Sequence, residues 1–339
     1  MSLAVTAQKQ CTAAYLCGPV KLSLTFDDCS LQTALDGLLS QYDAPWPAPA
    51  TEVFVTIEQG LPPAHIPEPV GVYLRSYRLR VDRCGTHLIS FSNVGVWMDF
   101  DEGEKQAQII VPHHPDRETV VEEVEQQLVL LLARAWTSQG WTPLHAGSLI
   151  PPGKTNCVLV CAPSGVGKTT FISALLRRGW RTLGDDKVLL QKENGSVVAR
   201  ALSRRVHLHP ALANWFPEIR KIEKWPRYSR WTEKRMVKME AIWPGQWIDS
   251  AIPTGLVQLE RAENGPTLNI EPLDSVRALN SLLRQIAIPS DAADARLLVS
   301  CAAAMAGRLR AALVTVGNNA FSDSSTAGRL EEALRGLLP

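Results

Sequence analysis

The stretch NCVLVCAPSGVGKTTFISALLRRG, residues 156–179, constrains this chain more than any other. An apolar run leads into a glycine-containing turn that ends in Lys-Thr, and an apolar-faced helical run comes next. That is the strand–loop–helix context in which backbone N–H groups wrap a phosphate. Ala162 stands where the pattern usually begins with glycine. Gly165 and Gly167 let the backbone turn inward without a Cβ, and a helix starting near Lys168 aims its positive end at the same point. Ser164, Gly165, Val166, Gly167, Lys168, Thr169 and Thr170 are the expected nucleotide-binding residues. Lys168 would bridge the outer phosphates of ATP, and the Thr169 hydroxyl would ligate Mg²⁺.

The residues just beyond the loop and its helix narrow the chemistry. The run WRTLGDDKVLL reads as a strand whose end presents Asp185 and Asp186, seventeen and eighteen residues after Lys168. Two tasks beside a nucleotide need a carboxylate: holding the metal, and taking a proton from an attacking hydroxyl. His145 opens the strand before the loop, in WTPLHAGS.

H-A-G at 145–147, A-P-S-G-V-G-K-T at 162–169 and R-R-G-W-R-T-L-G-D-D at 177–186 together resemble the catalytic domain of HPr kinase/phosphorylase. The resemblance covers roughly residues 140–290. It implies an α/β P-loop fold of the HPr-kinase/PEP-carboxykinase-like kind. Carried over, it makes Lys168 the phosphate lysine, Thr169 and Asp185 the metal-site residues, Asp186 the base toward the acceptor hydroxyl, and His145 the partner of that base. The family's later L-E-x-R-G-x-G-I motif is absent, and the region reads VHLHPALANWFPEIRKIEKW (206–225), with Glu218 as a candidate stand-in. That motif serves phosphate-driven reversal, so a one-way kinase is expected. The chain is similar to HPr-kinase-related proteins of varied pathways, peptide-modification clusters included.

From Trp215 to Trp247 there are five tryptophans, and residues 218–240 hold eight Lys/Arg against four Glu. Three readings stay open for this segment: a mobile substrate loop, a solvated stretch with a few core tryptophans, or a single-strand nucleic-acid surface. As a substrate loop it would supply a catalytic cation near the γ-phosphate, with Lys234 and Arg235 the candidates. A formal net charge of +1 over 339 residues gives no global field for nucleic acid or an anionic membrane, and neither is expected as a partner.

No run of the chain is apolar for the ~18 residues a membrane span needs, and the start lacks the pattern of a secretory signal. The seven cysteines fit no metal-ligand spacing, and Cys157 and Cys161 read as buried thiols; the cytoplasm is the expected compartment. Residues 1–114 read as a smaller, mostly antiparallel α+β unit. Its strands fall at 21–26, 52–58, 71–81, 86–92 and 106–112, and one helix runs from an N-capping Ser30 to Gln41. A connecting helix lies within 115–140, and the P-loop kinase-like domain occupies 141–339. In it a hairpin is expected around Asn264-Gly265, with helices at 274–286, 291–310 and 325–337.

The expected activity is transfer of the γ-phosphate of ATP to a hydroxyl, of Ser or Thr in a peptide or protein. A regulatory P-loop NTPase and a kinase of a small hydroxylated metabolite are the alternatives. The sequence holds neither an Asn-Lys-x-Asp base reader nor a Leu-Ser-Gly-Gly-Gln signature, which counts against the NTPase. A homo-oligomer is compatible with the sequence.

Overall fold

Alternating apolar and polar residues lay down the first eight strands. In the computed structural model, which describes residues 10–64, 69, 71–75, 79–114, 116–193, 195–229, 232–262, 268–317 and 324–338, the chain forms two units. The first comprises Met1–Tyr42, Trp46–Gln139 and Pro289–Ala292, and the second comprises Asp43–Pro45, Gly140–Ile288 and Ala293–Pro339.

In the first unit the strands are β1 (Cys11–Cys17), β2 (Val20–Phe26), β3 (Thr51–Gln59), β4 (Gly71–Arg75), β5 (Leu79–Cys84), β6 (His87–Ser92), β7 (Trp97–Asp101) and β8 (Gln106–Val111). They make one sheet in the order β1-β2-β3-β8-β7-β6-β5-β4. Only β2–β3 and β3–β8 are parallel. Val20, Leu22, Leu24 and Phe26 all point to the buried face of β2. Helices α1 (Cys29–Leu39) and α2 (Arg117–Ser138) belong to this unit. Trp136 of α2 donates its indole N–H to the Cys17 carbonyl at 2.9 Å and meets Tyr42 edge-on.

Several expectations change here. The N-cap of α1 is Asp28, whose carboxylate accepts from Ser30 N, so Ser30 lies inside the helix. Aspartate two residues earlier reaches the same free N–H groups that serine was expected to satisfy. The run 71–81 is two strands, β4 and β5, paired antiparallel rather than continuous. Cys11 and Cys29 form a disulfide with Cα atoms 5.5 Å apart. Cys157 and Cys161 are free and buried, and burial pushes the Cys161 thiol up to about 12.

The second unit contains β9 (Thr142–Leu144), β10 (Gly147–Leu149), β11 (Asn156–Cys161), α3 (Lys168–Leu176), β12 (Val188–Glu193), β13 (Ser196–Ala201), β14 (Arg205–Leu208), β15 (Arg235–Lys238), β16 (Ser250–Arg261), β17 (Leu268–Leu273), α4 (Ser275–Leu283), α5 (Ala292–Ala306), β18 (Arg310–Val316) and α6 (Ser324–Gly336). Its parallel heart is β11–β16–β18. Val158, Leu159 and Val160 are buried on both faces, which is why β11 reads as an unbroken apolar run. β9, β12 and β13 join as antiparallel neighbours, with β13 touching the first residues of the long β16. Phe171, Leu175 and Leu176 of α3 pack with Trp180 into the main core, each contributing about 1.5–3 kcal/mol by burial.

β16 and β17 do not form the expected hairpin. β18 lies between them, parallel to β16 and antiparallel to β17; Asn264 and Gly265 are outside the described residues. The helix expected to reach residue 310 ends at Ala306, and Arg310 already belongs to β18. Residues 215–229 and 232–247 are not an open loop: three short 3₁₀ turns and β15 bury Phe216, Ile219, Ile222, Val237, Met239 and Trp243 in the core that holds α3. The apolar residues interleaved with the Lys and Arg decide this fold, because they bury while most of the charges stay exposed.

Candidate active site

Strand register brings the site together. Leu144 of β9 pairs with Val188 of β12, so His145, the next residue, emerges beside Asp186. Gly147 of β10 pairs with Val160 of β11, just before the loop. Ser148 ties these strands to the Asp-Asp turn: its N–H donates to Gly184 O at 3.1 Å, and its hydroxyl accepts from Leu183 N at 2.8 Å. The Thr182 hydroxyl anchors the turn from the other side, donating to Ser148 O at 2.7 Å. Asp185 and Asp186 therefore sit in a turn that enters the antiparallel strand β12, rather than at the end of a strand as expected. Gly184, with φ of 149°, makes that turn.

The loop itself has the shape its glycines call for. Gly165 and Gly167 have φ of 83° and 109°, and a Cβ built on either would meet nothing within 4 Å. An anion needs that open space in order to approach the backbone. Gly167 caps α3 with no side-chain hydrogen bond, so no side chain competes for the first N–H groups of the helix. Ser164 and Gly165 are exposed, Val166, Gly167, Thr169 and Thr170 are half-buried, and Lys168 is only 8% exposed.

Two polar contacts link the loop to the turn, and a third reaches the turn from the end of β9. Thr169 Oγ1 donates to Asp185 Oδ2 at 2.8 Å. Lys168 Nζ reaches Asp186 Oδ1 at 3.4 Å, and His145 Nε2 donates to that same oxygen at 2.9 Å. Burial works against ionising Asp186, yet its carboxyl is held well below the usual range. The His145 hydrogen bond and the charges of Lys168 and Lys187 outweigh desolvation. A carboxylate so held remains ionised at neutral pH.

The donor set fits a nucleotide with Mg²⁺. Thr169 and Asp185 offer two adjacent oxygens, and Mg²⁺ keeps water and phosphate for the rest of its shell. Among the described residues no group of three or more His, Cys, Asp or Glu is arranged as a self-sufficient metal site.

The remaining candidates lie apart from these contacts. Glu218 pairs with Arg177 at 3.7 Å, beyond the far end of α3, so it does not stand in for the missing motif. Arg235 donates to the Trp225 carbonyl at 3.4 Å, and no contact joins it to Asp185, Asp186 or Lys168. The charge of Lys234 acts on His207.

No family model matches the chain, and no curated protein gives a significant match. Among solved structures it is similar to the Hpr(Ser) kinase/phosphatase from Coxiella burnetii, at 12% identity and a TM-score of 0.31, covering 57% of this chain and 94% of that one. The likeness is distant. No helix among the described residues is long and apolar enough to cross a membrane.

Proposed function

We propose that this chain is an ATP- and Mg²⁺-dependent kinase that transfers the γ-phosphate to a hydroxyl, of Ser or Thr in a peptide or protein. The observation that carries the reading is the Asp186 carboxylate, held between His145 and Lys168 beside the loop. A plain hydrolase or switch needs a phosphate loop and a metal-holding carboxylate. Deprotonation of an acceptor hydroxyl asks for a second, separately positioned ionised carboxylate.

In this reading the N–H groups of 164–170 bind the phosphates, Lys168 neutralises the outer ones, and Thr169 with Asp185 would hold Mg²⁺, which draws charge from the transferring group. Asp186 accepts the hydroxyl proton, and His145 orients that carboxylate by its hydrogen bond. With no counterpart of the family's reversal motif, forward transfer should dominate over phosphorolysis.

The test is incubation with labelled ATP and a Ser/Thr peptide library, read by mass spectrometry for a gain of one phosphate. Lys168→Ala should abolish the gain and weaken ATP binding. Near-normal transfer by a folded Lys168→Ala protein would sink the reading.

A further inference from the structure

One edge of the first sheet is held by a covalent bond. Among the described strands β1 ends the sheet and pairs only with β2. Of its seven residues only Cys17 is buried, while Thr12, Ala14 and Leu16 are exposed. An edge strand that buries so little is at the low end of local stability. Its attachment on the other side comes from α1. The Tyr15 hydroxyl donates to the Asp36 carboxylate, and the Gln32 amide donates to the Thr12 carbonyl at 3.5 Å. The third attachment is the disulfide, which joins the first residue of the strand, Cys11, to the first residue of the helix, Cys29.

Cys17, Cys84, Cys157, Cys161 and Cys301 are all free thiols. Five free thiols beside one disulfide suit surroundings in which thiols persist, and a disulfide there is an exchangeable bond more often than a permanent one. Burial pushes all five thiols up, with Asp82 and Asp99 adding to the effect at Cys84, so none of them is poised for exchange. Cys11 and Cys29 are both only half-buried, which leaves their bond within reach of a small thiol. Cys29 also sits inside a junction. The carboxylate of its neighbour Asp28 accepts from Ser30 N at 2.9 Å, Gln59 Nε2 at 3.1 Å and Arg117 Nη2 at 2.6 Å. Those contacts tie the start of α1 to the end of β3 and to the first residue of α2.

We propose that the Cys11–Cys29 bond is a redox latch: closed, it fastens β1 to α1, and a small dithiol opens it and releases the edge strand. A thiolate of the dithiol attacks one sulfur of the pair, and the Sγ–Sγ electron pair leaves on the other. The second thiol of the reductant then displaces the first cysteine. Two electrons pass from the dithiol to the protein, giving a cyclic disulfide and two cysteine thiols that carry the reductant's two protons. Release of β1 uncovers the edge of β2, a row of backbone groups that another strand can pair with. The latch belongs to the first unit and does not depend on the kinase reading.

The test begins with a thiol count. Alkylated in denaturant without prior reduction, the wild-type chain should show five reactive thiols. All seven cysteines reacting would mean that the bond does not form, and would overturn the latch. Dithiothreitol added to the folded chain should open the bond before any unfolding; a bond that yields only on unfolding is a permanent staple, which also overturns the proposal. Hydrogen exchange gives the structural readout. After reduction the amides of β1 should exchange about ten- to hundredfold faster, the order expected from releasing a loop of this length, with β6 and β7 unchanged. Cys11→Ser and Cys29→Ser should exchange as the reduced wild type does and ignore dithiothreitol. Unchanged β1 exchange on reduction, or equal acceleration across the whole sheet, overturns the assignment.

Discussion

Thr169 Oγ1 and Asp185 Oδ2 are 2.8 Å apart, so the residue after the loop lysine and the first carboxylate of the turn are already joined. The loop and the turn thus present one ready-made pair of oxygens. Asp185→Asn keeps the shape and removes the charge. It should raise the Mg²⁺ concentration needed for half-maximal transfer while leaving the maximal rate largely recoverable. A titration of rate against Mg²⁺ checks this, and an unchanged requirement would place the metal elsewhere.

Asp186→Asn should act differently. It removes the proton acceptor but not the phosphate loop, so ATP affinity should stay near normal while kcat falls by about 10²–10⁴. If both Asp variants lose only nucleotide affinity, the pair is a metal site and the base lies elsewhere.

Protonation gives a third expectation. Asp186 is held below its ordinary value, so its ionisation favours the folded state above the ordinary carboxylate range, and that contribution disappears as pH falls through the depressed folded value. His145→Ala removes the hydrogen bond that helps to hold it there. The acid limb of the transfer-rate profile should therefore move to higher pH in His145→Ala, with a rate loss milder than that of Asp186→Asn. An unmoved limb would detach His145 from Asp186.

Gly147, in the stretch H-A-G, offers a test by packing. A Cβ there would lie 2.1 Å from Ile172 Cδ1 and 3.0 Å from the backbone oxygen of Asp185. Ile172 can swing aside, but the Asp185 backbone is held by the turn. Gly147→Ala should cost about 1–3 kcal/mol as overpacking. It should also raise the Mg²⁺ requirement, because the displaced atom belongs to Asp185. Thermal melts and the same Mg²⁺ titration read both effects. A loss of stability with normal Mg²⁺ dependence would confine the close approach to packing.

The loop and its carboxylates were legible because their chemistry is local: a glycine turn, a lysine and two aspartates within one helix and one turn. His145 became legible only in combination with them, since a single histidine carries no spacing of its own. Arg235 was drawn by charge and Glu218 as a stand-in for the missing motif; Arg235 donates to the Trp225 carbonyl, and Glu218 pairs with Arg177. The Asn264-Gly265 turn suggested a hairpin from neighbours in sequence, whereas the sheet chose β18 for its long apolar match with β16. The Cys11–Cys29 bond depends on where β1 begins beside the start of α1, which odd cysteine counts do not reveal.

The position of β18 has a consequence for the order of synthesis. A chain emerging N-terminus first releases the phosphate loop, then β16 and β17, and only afterwards the strand that must lie between them. Until residues 310–316 appear, β16 has an unpaired edge beside the parallel strand that carries the loop. Long-range parallel pairing is slow, and unpaired edges are where incomplete chains stick to one another. A nascent chain stopped short of β18 would therefore display a finished-looking nucleotide motif on an unfinished sheet. Its yield in cells should depend on chaperones more than its size suggests.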